Sequence, residues 1–379
     1  MRFPEFTGEW KETTLGKIGG TFNGLTGKSG SDFGQGCPYI TYKSIFDNSR
    51  VDINRVDYVT ISDEERRKES QNKVLYGDIF FTTSSETPDE VGMTSVLLDK
   101  IEDCYLNSFC FGYRLFCQEN YLPEYLRFYF RSRVIRRKLS ILAQGSTRFN
   151  ISKKEVMRLG VKVPNSTEQR KIANFLTLLD ERIATQNKII EDLKKLKSAI
   201  AERVFRVAHC DTVSLSEACT IQKGKQVNGE YLSETGRYYV MNGGIEPSGY
   251  YDKCNTPADT ISISEGGNSC GYIQYNREAF WSSGHCYTLN NINPDVCKLY
   301  LYHYLKSQES AIMKLRIGTG LPNIQKKDLE KFNILLPTVA KQERISTFLT
   351  AIESKIMNEE MFLSHFHEEK QYLLRHMFI

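Results

Sequence analysis

GTGLPNIQKKDL at 318–329 is the stretch that decides how this chain is read, because GSTRFNISKKEV stands 173 residues earlier, at 145–156. Laid over one another at that offset, residues 145–205 and 318–378 align without a gap and share 14 identities in 61 positions. Among them are Gly145/Gly318, Asn150/Asn323, Ile151/Ile324, Lys153/Lys326, Lys154/Lys327, Pro164/Pro337, Gln169/Gln342, Phe175/Phe348 and Phe205/Phe378. The chain carries an internal duplication.

Beyond Pro164 the first copy places apolar residues at Ile172, Phe175, Leu176, Leu179, Ile183, Ile190, Leu193, Leu196, Ile200 and Val204, the three-to-four spacing of one helix face. The second copy repeats the stripe as Ile345, Phe348, Leu349, Ile352, Ile356, Leu363, Phe366, Leu373 and Met377. Each stripe predicts a helix of about 38 residues, roughly 57 Å at 1.5 Å per residue. The partner of matching length for either stripe is the other one, which predicts a coiled coil. Equivalent surfaces that pair about a two-fold perpendicular to the helices make them antiparallel. The alternative is that each stripe packs on its neighbouring globule.

The flanking parts, 1–144 and 206–317, are rich in Tyr, Phe, Ile, Val and Thr and are broken by turn stretches such as NGLTGKSGSDFGQG, MNGGIEPSG and SEGGNSCG. They read as mainly β globules with some helix. They begin alike, TTLGKIGGTFNG at 13–24 and VSLSEACTIQKG at 213–224, and each later holds a helical stretch, EYLRFYFRSRVIRRKL and LYLYHYLKSQESAIMKL. Between those points they differ in length and share little sequence. The expected class is α+β: two mainly β domains, 1–144 and 206–317, alternating with two loop-plus-helix regions, 145–205 and 318–379, the helices antiparallel.

A chain of 379 residues is long enough for two or more domains with sizeable cores. Lys and Arg total 50 against 46 Asp and Glu, a net charge of +4, so any anionic partner has to be met by local patches. The ten cysteines form no C-x-x-C pair and no Cys/His knuckle, which argues against structural zinc and for buried thiols in a reducing compartment. The start, MRFPEFTGEWKETTLGK, lacks a signal pattern, and no run approaches the roughly 18 apolar residues of a membrane span. The expectation is a cytoplasmic protein.

Catalytic motifs are missing. There is no N/D-P-P-Y/F of an adenine methyltransferase, and DFGQGCPY at 32–39 is a poor imitation of its cofactor loop. GLTGKSG at 24–30 ends like a phosphate loop, but Phe22 stands where the first glycine belongs, so an exposed loop with Lys28 is the reading. TPDEVG at 87–92 lacks the strand context of a nuclease carboxylate cluster. His285 and Cys286 are adjacent, which puts their side chains on opposite faces of a strand rather than together as a nucleophile pair.

Two related but divergent globules held apart by helices suit the reading of two sites on one extended partner. Duplex DNA, with grooves that repeat about every 34 Å, is the natural candidate. RFPEFTGEW, GSTRFNISKKE, GTGLPNIQKKDL, PNSTEQRKIANFLTLLDERI, PTVAKQERISTFLTAIESKI, and EGGNSC with SSGHCYTL resemble the DNA specificity subunit of type I restriction-modification enzymes. The likeness spans essentially the whole chain and is most specific in the helical regions. It implies a non-catalytic subunit whose two target recognition domains select a bipartite sequence on double-stranded DNA. It also implies recruitment of two methyltransferase (modification) subunits and, in the full complex, two restriction subunits. S-adenosylmethionine would then belong to the methyltransferase, ATP and Mg to the restriction subunit, and no cofactor to this chain.

Candidate DNA contacts follow from composition and loop position, since base edges need donors and acceptors and phosphates need Lys, Arg, Ser, Thr and Asn. In the first globule they are Lys28, Lys43, Thr82, Thr83 and Ser84; in the second, Lys223, Lys225, Asn242, Glu265, Asn268 and His285. The repeated loops add Thr147, Arg148 and Asn150, and Thr319 and Asn323; the alternative for both asparagines is capping a helix that begins near Ser152 or Gln325. RFYFRSRVIRRK at 127–138 has six basic residues and no acid, which suits a face on phosphates, a solvated face or a partner surface. Two other function classes remain open from sequence: a nuclease or methyltransferase with unfamiliar motifs, and an adaptor whose globules bind proteins.

Overall fold

The computed structural model describes residues 1–206, 210–318 and 320–378. The chain forms two compact units: Met1–Thr185 with the chain from Leu363 onward, and Gln186–Phe362. The boundary falls within both long helices, Ser166–Arg206 (41 residues) and Val339–His376 (38 residues).

Inside the first unit, Ile172, Leu176, Leu179 and Ile183 from the start of the first long helix share a core with Leu373, Leu374, Met377 and Phe378 from the end of the second. Inside the second unit the roles reverse: Ile200, Val204 and Phe205 from the end of the first helix meet Ile345 and Leu349 from the start of the second. Start beside end in each unit makes the pairing antiparallel, as the stripes predicted. Each stripe also packs on a globule, so the two readings of it are both realised.

The repeat identities build one joint twice. Fully buried Gln169 accepts from Leu122 N (2.9 Å) and donates to Asn120 O (2.9 Å) and Pro164 O (2.8 Å). Gln342 does the same with Cys297 N (2.8 Å), Asp295 O (2.9 Å) and Pro337 O (2.8 Å). Asp180 binds Arg127 of the globule and Lys370 of the other long helix; Glu353, 173 residues on, binds Tyr302 (3.0 Å) and Lys197 (2.6 Å). Phe378 packs tilted against Tyr125 and Tyr129, each at 5.7 Å, and Phe205 edge-on against Tyr300 (5.6 Å) and Tyr304 (5.3 Å).

Although they share little sequence between their ends, the globules share one topology. Each is closed by a strand pair, Lys11–Thr14 with Gly160–Val163 and Asp211–Ser214 with Asn333–Leu336, in matching register: Thr14 faces Gly160 and Ser214 faces Asn333. In the first, an antiparallel sheet runs Gly19–Asn23, Cys110–Leu115, Ile79–Thr82, Thr94–Val96. In the second the order is Thr220–Lys223, Cys286–Asn290, Thr260–Ser264, Ile273–Asn276. Each also has a three-stranded sheet whose middle strand, Phe33–Ile40 or Tyr238–Met241, is antiparallel to one neighbour and parallel to the other. Backbone pairing carries the likeness, so side chains are free to diverge over it.

The helical stretches break in two at equivalent places: Pro123–Tyr129 and Arg133–Ile141 in one globule, Lys298–Ser307 and Glu309–Met313 in the other. Among the described residues no helix is long and apolar enough to cross a membrane, and no three His, Cys, Asp or Glu side chains group as a metal site.

Candidate nucleic-acid interface

Both repeated loops are closed by the same pair of backbone hydrogen bonds. Gln144 N donates to Asn150 O (2.9 Å) and Asn150 N to Gln144 O (2.8 Å); Ile317 and Asn323 exchange the same bonds at 2.8 and 3.0 Å. The closed loops are 145–149 and 318–322. Gly145 at φ +129° and Gly318 at φ +96° begin them in the left-handed region, and a Cβ on Gly145 would lie 2.2 Å from Arg148 O. The asparagines close the loops through their backbones, and the Asn150 side chain adds a donation to Arg148 O (3.4 Å). The short helices that follow, Lys153–Met157 and Lys326–Glu330, take Ser152 and Gln325 at the N-cap position with no side-chain capping bond, so the capping alternative is set aside.

Each loop then docks on its own globule with one bond in an equivalent place: Ile151 N donates to Thr83 O (2.9 Å) and Ile324 N to Glu265 O (2.8 Å). Thr83 N in turn donates to Phe109 O (3.0 Å), and Glu265 N to His285 O (2.9 Å). Thr83 and Glu265 thus hold equivalent places, as do Phe109 and His285, at one end of the four-stranded sheet.

In the second globule this end gathers four of the sequence candidates. Glu265, nearly buried, accepts from Lys223 Nζ (2.5 Å) and from Tyr287 Oη (3.1 Å) through Oε1, and its Oε2 lies 3.3 Å from His285 Nδ1. Asn242 Oδ1 accepts from His285 N (3.1 Å). Burial and the Glu265 carboxylate together push the Tyr287 hydroxyl well above its ordinary pKa, so it serves as a donor throughout the physiological range. Lys223 is 51% and His285 60% exposed, so both side chains reach solvent from the carboxylate that holds them. Cys286 is buried at the start of the strand Cys286–Asn290, and His285 stands in the turn before it rather than on a strand as expected. Lys225 and Asn268 are exposed nearby in sequence, and Asn323 is joined to Gly266 by a backbone bridge. Thr319 lies outside the described residues.

In the first globule several candidates are spent on the fold. Thr82 is fully buried and its hydroxyl accepts from Met93 N (2.9 Å); Ser84 is buried, paired with Asn150, and its carbonyl accepts from Tyr42 Oη (2.7 Å). Neither presents a surface to a partner. The Thr83 hydroxyl donates to Phe109 O (2.8 Å). Lys28 is not the exposed cation expected: its side chain is nearly covered and paired with Glu65 at 2.6 Å. That contact, with the Ser62 N–H and hydroxyl, brings the Glu65 carboxyl down to about 2. Lys43 is exposed, as are Thr147 and Arg148 on the loop.

The basic run at 127–138 is corrected most sharply. Arg131 donates to the carbonyls of Thr94, Ile45, Phe46 and Asn48, and Arg136 to those of Gly92, Asp89 and Val91. Lys138 donates to Gly160 O (2.6 Å), and Arg127 is bound to Asp180 and Ser49. Burial lowers both Arg131 and Arg136 to about 10. They are internal staples for orphan carbonyls, and of the six cations Arg133 and Arg137 alone are fully exposed. A basic run does not reveal in sequence which guanidinium meets a carbonyl and which meets water.

Sequence reasoning missed Asn23, Phe109 and Lys153 as members of this end. Asn23 faces Phe111 across the sheet as Lys223 faces Tyr287, and its Oδ1 accepts from Lys153 Nζ. Lys153 lies 5.7 Å above the Phe111 ring, and burial lowers its ammonium pKa. The available signal was the Lys153/Lys326 identity in the repeat.

The same architecture is found in known proteins. A crystal structure of the S subunit of a type I restriction-modification system from M. genitalium superposes with a TM-score of 0.68 over 100% of this chain and 99% of that one, at 18% identity. A chain from work on complex assembly and conformational transition of the type I R-M system gives 0.58 over 98% and 97%. A protein of Mycoplasma genitalium assigned as a type I specificity subunit is 34% identical over 140 residues, 36% of each chain. A Mycoplasma pneumoniae protein assigned likewise is 34% identical over 146 residues. These matches span little more than a third of the relatives' length. A Methanocaldococcus jannaschii protein, assigned as a type I restriction enzyme specificity subunit, is 24% identical over 370 residues, covering 88% of this chain and 84% of that one. The sequence profile of the type I restriction modification DNA specificity domain matches twice, over residues 7–195 and 209–361, and the chain belongs to that family.

Proposed function

We infer that this chain is the sequence-reading subunit of a type I restriction-modification complex, each globule reading one half of an asymmetric bipartite site. The observation that carries the reading is a single backbone frame built twice with different chemistry at its exposed end: Asn23, Thr83 and Phe109 in one copy, Lys223, Glu265 and His285 in the other. Equal frames suit two half-sites on one duplex, and unequal side chains make the half-sites differ. Under this reading the long helices set the unspecified gap and recruit two methyltransferase subunits, with two restriction subunits in the full complex. Adenine methylation with S-adenosylmethionine, and translocation and cleavage with ATP and Mg, belong to those partners.

Co-expression with a methyltransferase subunit encoded beside it, followed by single-molecule sequencing of host DNA, tests the reading. The expected result is one motif of two short, unlike blocks with a fixed gap. A stable complex without any methylated motif would mean that the globules bind something other than DNA. Modification or cleavage by the purified chain alone would mean that it is itself the enzyme.

A further inference from the structure

The frame shared by the two globules makes position-by-position comparison possible where the sequences do not align. Three equivalences come from backbone pairing alone. Asn23 and Lys223 end the first strand of the four-stranded sheet, opposite Phe111 and Tyr287. Thr83 and Glu265 each accept the loop's isoleucine N–H on their carbonyl. Phe109 and His285 each accept the N–H of that residue in turn. A fourth follows from the repeat offset: Arg148 on the first loop corresponds to Leu321 on the second.

The chemistry at these places is exchanged rather than merely different. In the first globule the loop carries the cation, Arg148, and the sheet end carries an apolar ring, Phe109, which is 63% exposed. In the second the loop carries an apolar side chain, Leu321, which is 85% exposed, and the sheet end carries Lys223 and His285. Glu265 is what makes that cationic end directional. Its carboxylate, nearly buried, holds Lys223 Nζ at 2.5 Å and Tyr287 Oη at 3.1 Å on one oxygen and faces His285 Nδ1 at 3.3 Å with the other. The imidazole nitrogen not set against Glu265 is Nε2, on a side chain that is 60% exposed. A lysine free to sweep would serve any phosphate; one tied to a buried carboxylate has a narrower reach, as a base-edge contact requires.

We propose that Lys223 and His285 are specificity-determining residues that read a purine edge in the second half-site, with Glu265 as their positioning residue, and that Phe109 and Arg148 hold the corresponding role in the first. A purine is the fit because both purines offer the N7 acceptor to the Lys223 ammonium in the major groove, with a second group beside it for His285 Nε2. This rests on the bipartite-reader function inferred above.

The test is methylome mapping of the complex with the methyltransferase subunit, comparing the wild-type chain with Lys223→Met, His285→Ala, Glu265→Gln and Phe109→Ala. Lys223, His285 and Phe109 are exposed, so their truncation leaves the fold intact even where Glu265→Gln does not. The expected result for Lys223→Met and His285→Ala is about a tenfold or greater loss of preference at one purine position of one half-site, the other half-site unchanged. Phe109→Ala should alter only the opposite half-site. Three outcomes would overturn the proposal: a motif unchanged in all variants, the same half-site altered by Phe109→Ala and Lys223→Met, or methylation reduced equally at every site, which would make Lys223 a phosphate contact. Absence of any motif from the wild-type complex would instead sink the function on which the proposal rests.

Discussion

His303 offers a prediction whose size follows from the structure. Its ring is buried on the helix Lys298–Ser307, with Nε2 2.9 Å from Thr350 Oγ1 and with Tyr302, Glu353 and Lys197 around it. Burial lowers its pKa to about 4; the Glu353 carboxylate pulls the other way and Lys197 adds to the lowering. A histidine whose folded pKa lies below its unfolded one, about 6.5, contributes full stability above the unfolded value. As pH falls from about 6.5 towards about 4, the unfolded chain takes up a proton that the folded chain refuses. Each pH step in that window costs about 1.4 kcal/mol, so the whole window is worth about 3 kcal/mol. The Glu353 carboxyl, held below its usual range by Lys197, His303 and Tyr302 against its own burial, begins to lose its contribution only below its unfolded value of about 4.3, at the foot of that window. His303→Phe is the informative variant, because buried Phe128 stands one residue after Arg127 as His303 stands one after Tyr302. It should cost about 1 kcal/mol at pH 7.5 through the lost hydroxyl contact and overtake the wild type at about pH 6. Urea midpoints from pH 8 to 4.5 measure this, and a wild-type minus variant difference that stays constant across that range would refute the reasoning.

Four further outcomes are expected. Phe205→Ala and Phe378→Ala should each cost about 3–5 kcal/mol by emptying equivalent tyrosine-lined sites, read as loss of thermal stability; a cost below 1 kcal/mol would mean the rings are not part of the joint. Gln169→Ala should cost about 1–3 kcal/mol, since it strands Leu122 N and two carbonyls, and Gln342→Ala the same in hydrogen exchange around Cys297. Arg131→Met should destabilise the first unit without changing the salt dependence of DNA binding by the complex, whereas Arg148→Ala should cost about 1–3 kcal/mol of binding and relax the preference at one position of the first half-site only. Insertion of residues near the middle of the first long helix should change the number of unspecified base pairs between half-sites in the methylated motif, and an unchanged gap would remove the spacer role.

The long helices were legible because apolar positions recurring at helical spacing call for a buried face, and the duplication supplied the partner; Phe175 and Leu196 of the first stripe and Phe348 of the second nevertheless stand exposed. Strands two to eight residues long carry no such redundancy, which is why the shared topology of the globules was hidden. Their likeness is held by pairings such as Leu15 N with Leu159 O and Leu215 N with Phe332 O, for which side chains matter little. The candidate site was half legible. Polar loop composition pointed to Glu265, His285 and Lys223, but it gave the same weight to Thr82 and Ser84, whose hydroxyl and backbone are used internally. Composition reports which groups are present; only packing reports which are already satisfied.

The joint explains how divergent globules are held by an identical frame, and this bears on whether they can be exchanged. Gln169 and Gln342 grip the globules only through backbone atoms, and the closing strand pairs are backbone pairings too. The side-chain matching common to both joints is a tyrosine pair four residues apart on the globule helix, Tyr125 and Tyr129 or Tyr300 and Tyr304, and one residue that meets Asp180 or Glu353; the first globule adds Arg2 and Trp10 on buried Glu168 and Phe3 against Phe175. A foreign first globule replacing 1–144 should therefore fold on this frame when it brings that tyrosine pair, an arginine or tyrosine two residues after its first member, and donors that replace Arg2 and Trp10 on the buried Glu168 carboxylate. The chimera, with its methyltransferase subunit, should methylate a motif with one new half and the old second half at the old gap. A motif changed in both halves would show that the globules do not read independently. A chimera that carries the pair yet fails to fold would show that the joint depends on more of the globule surface than its backbone.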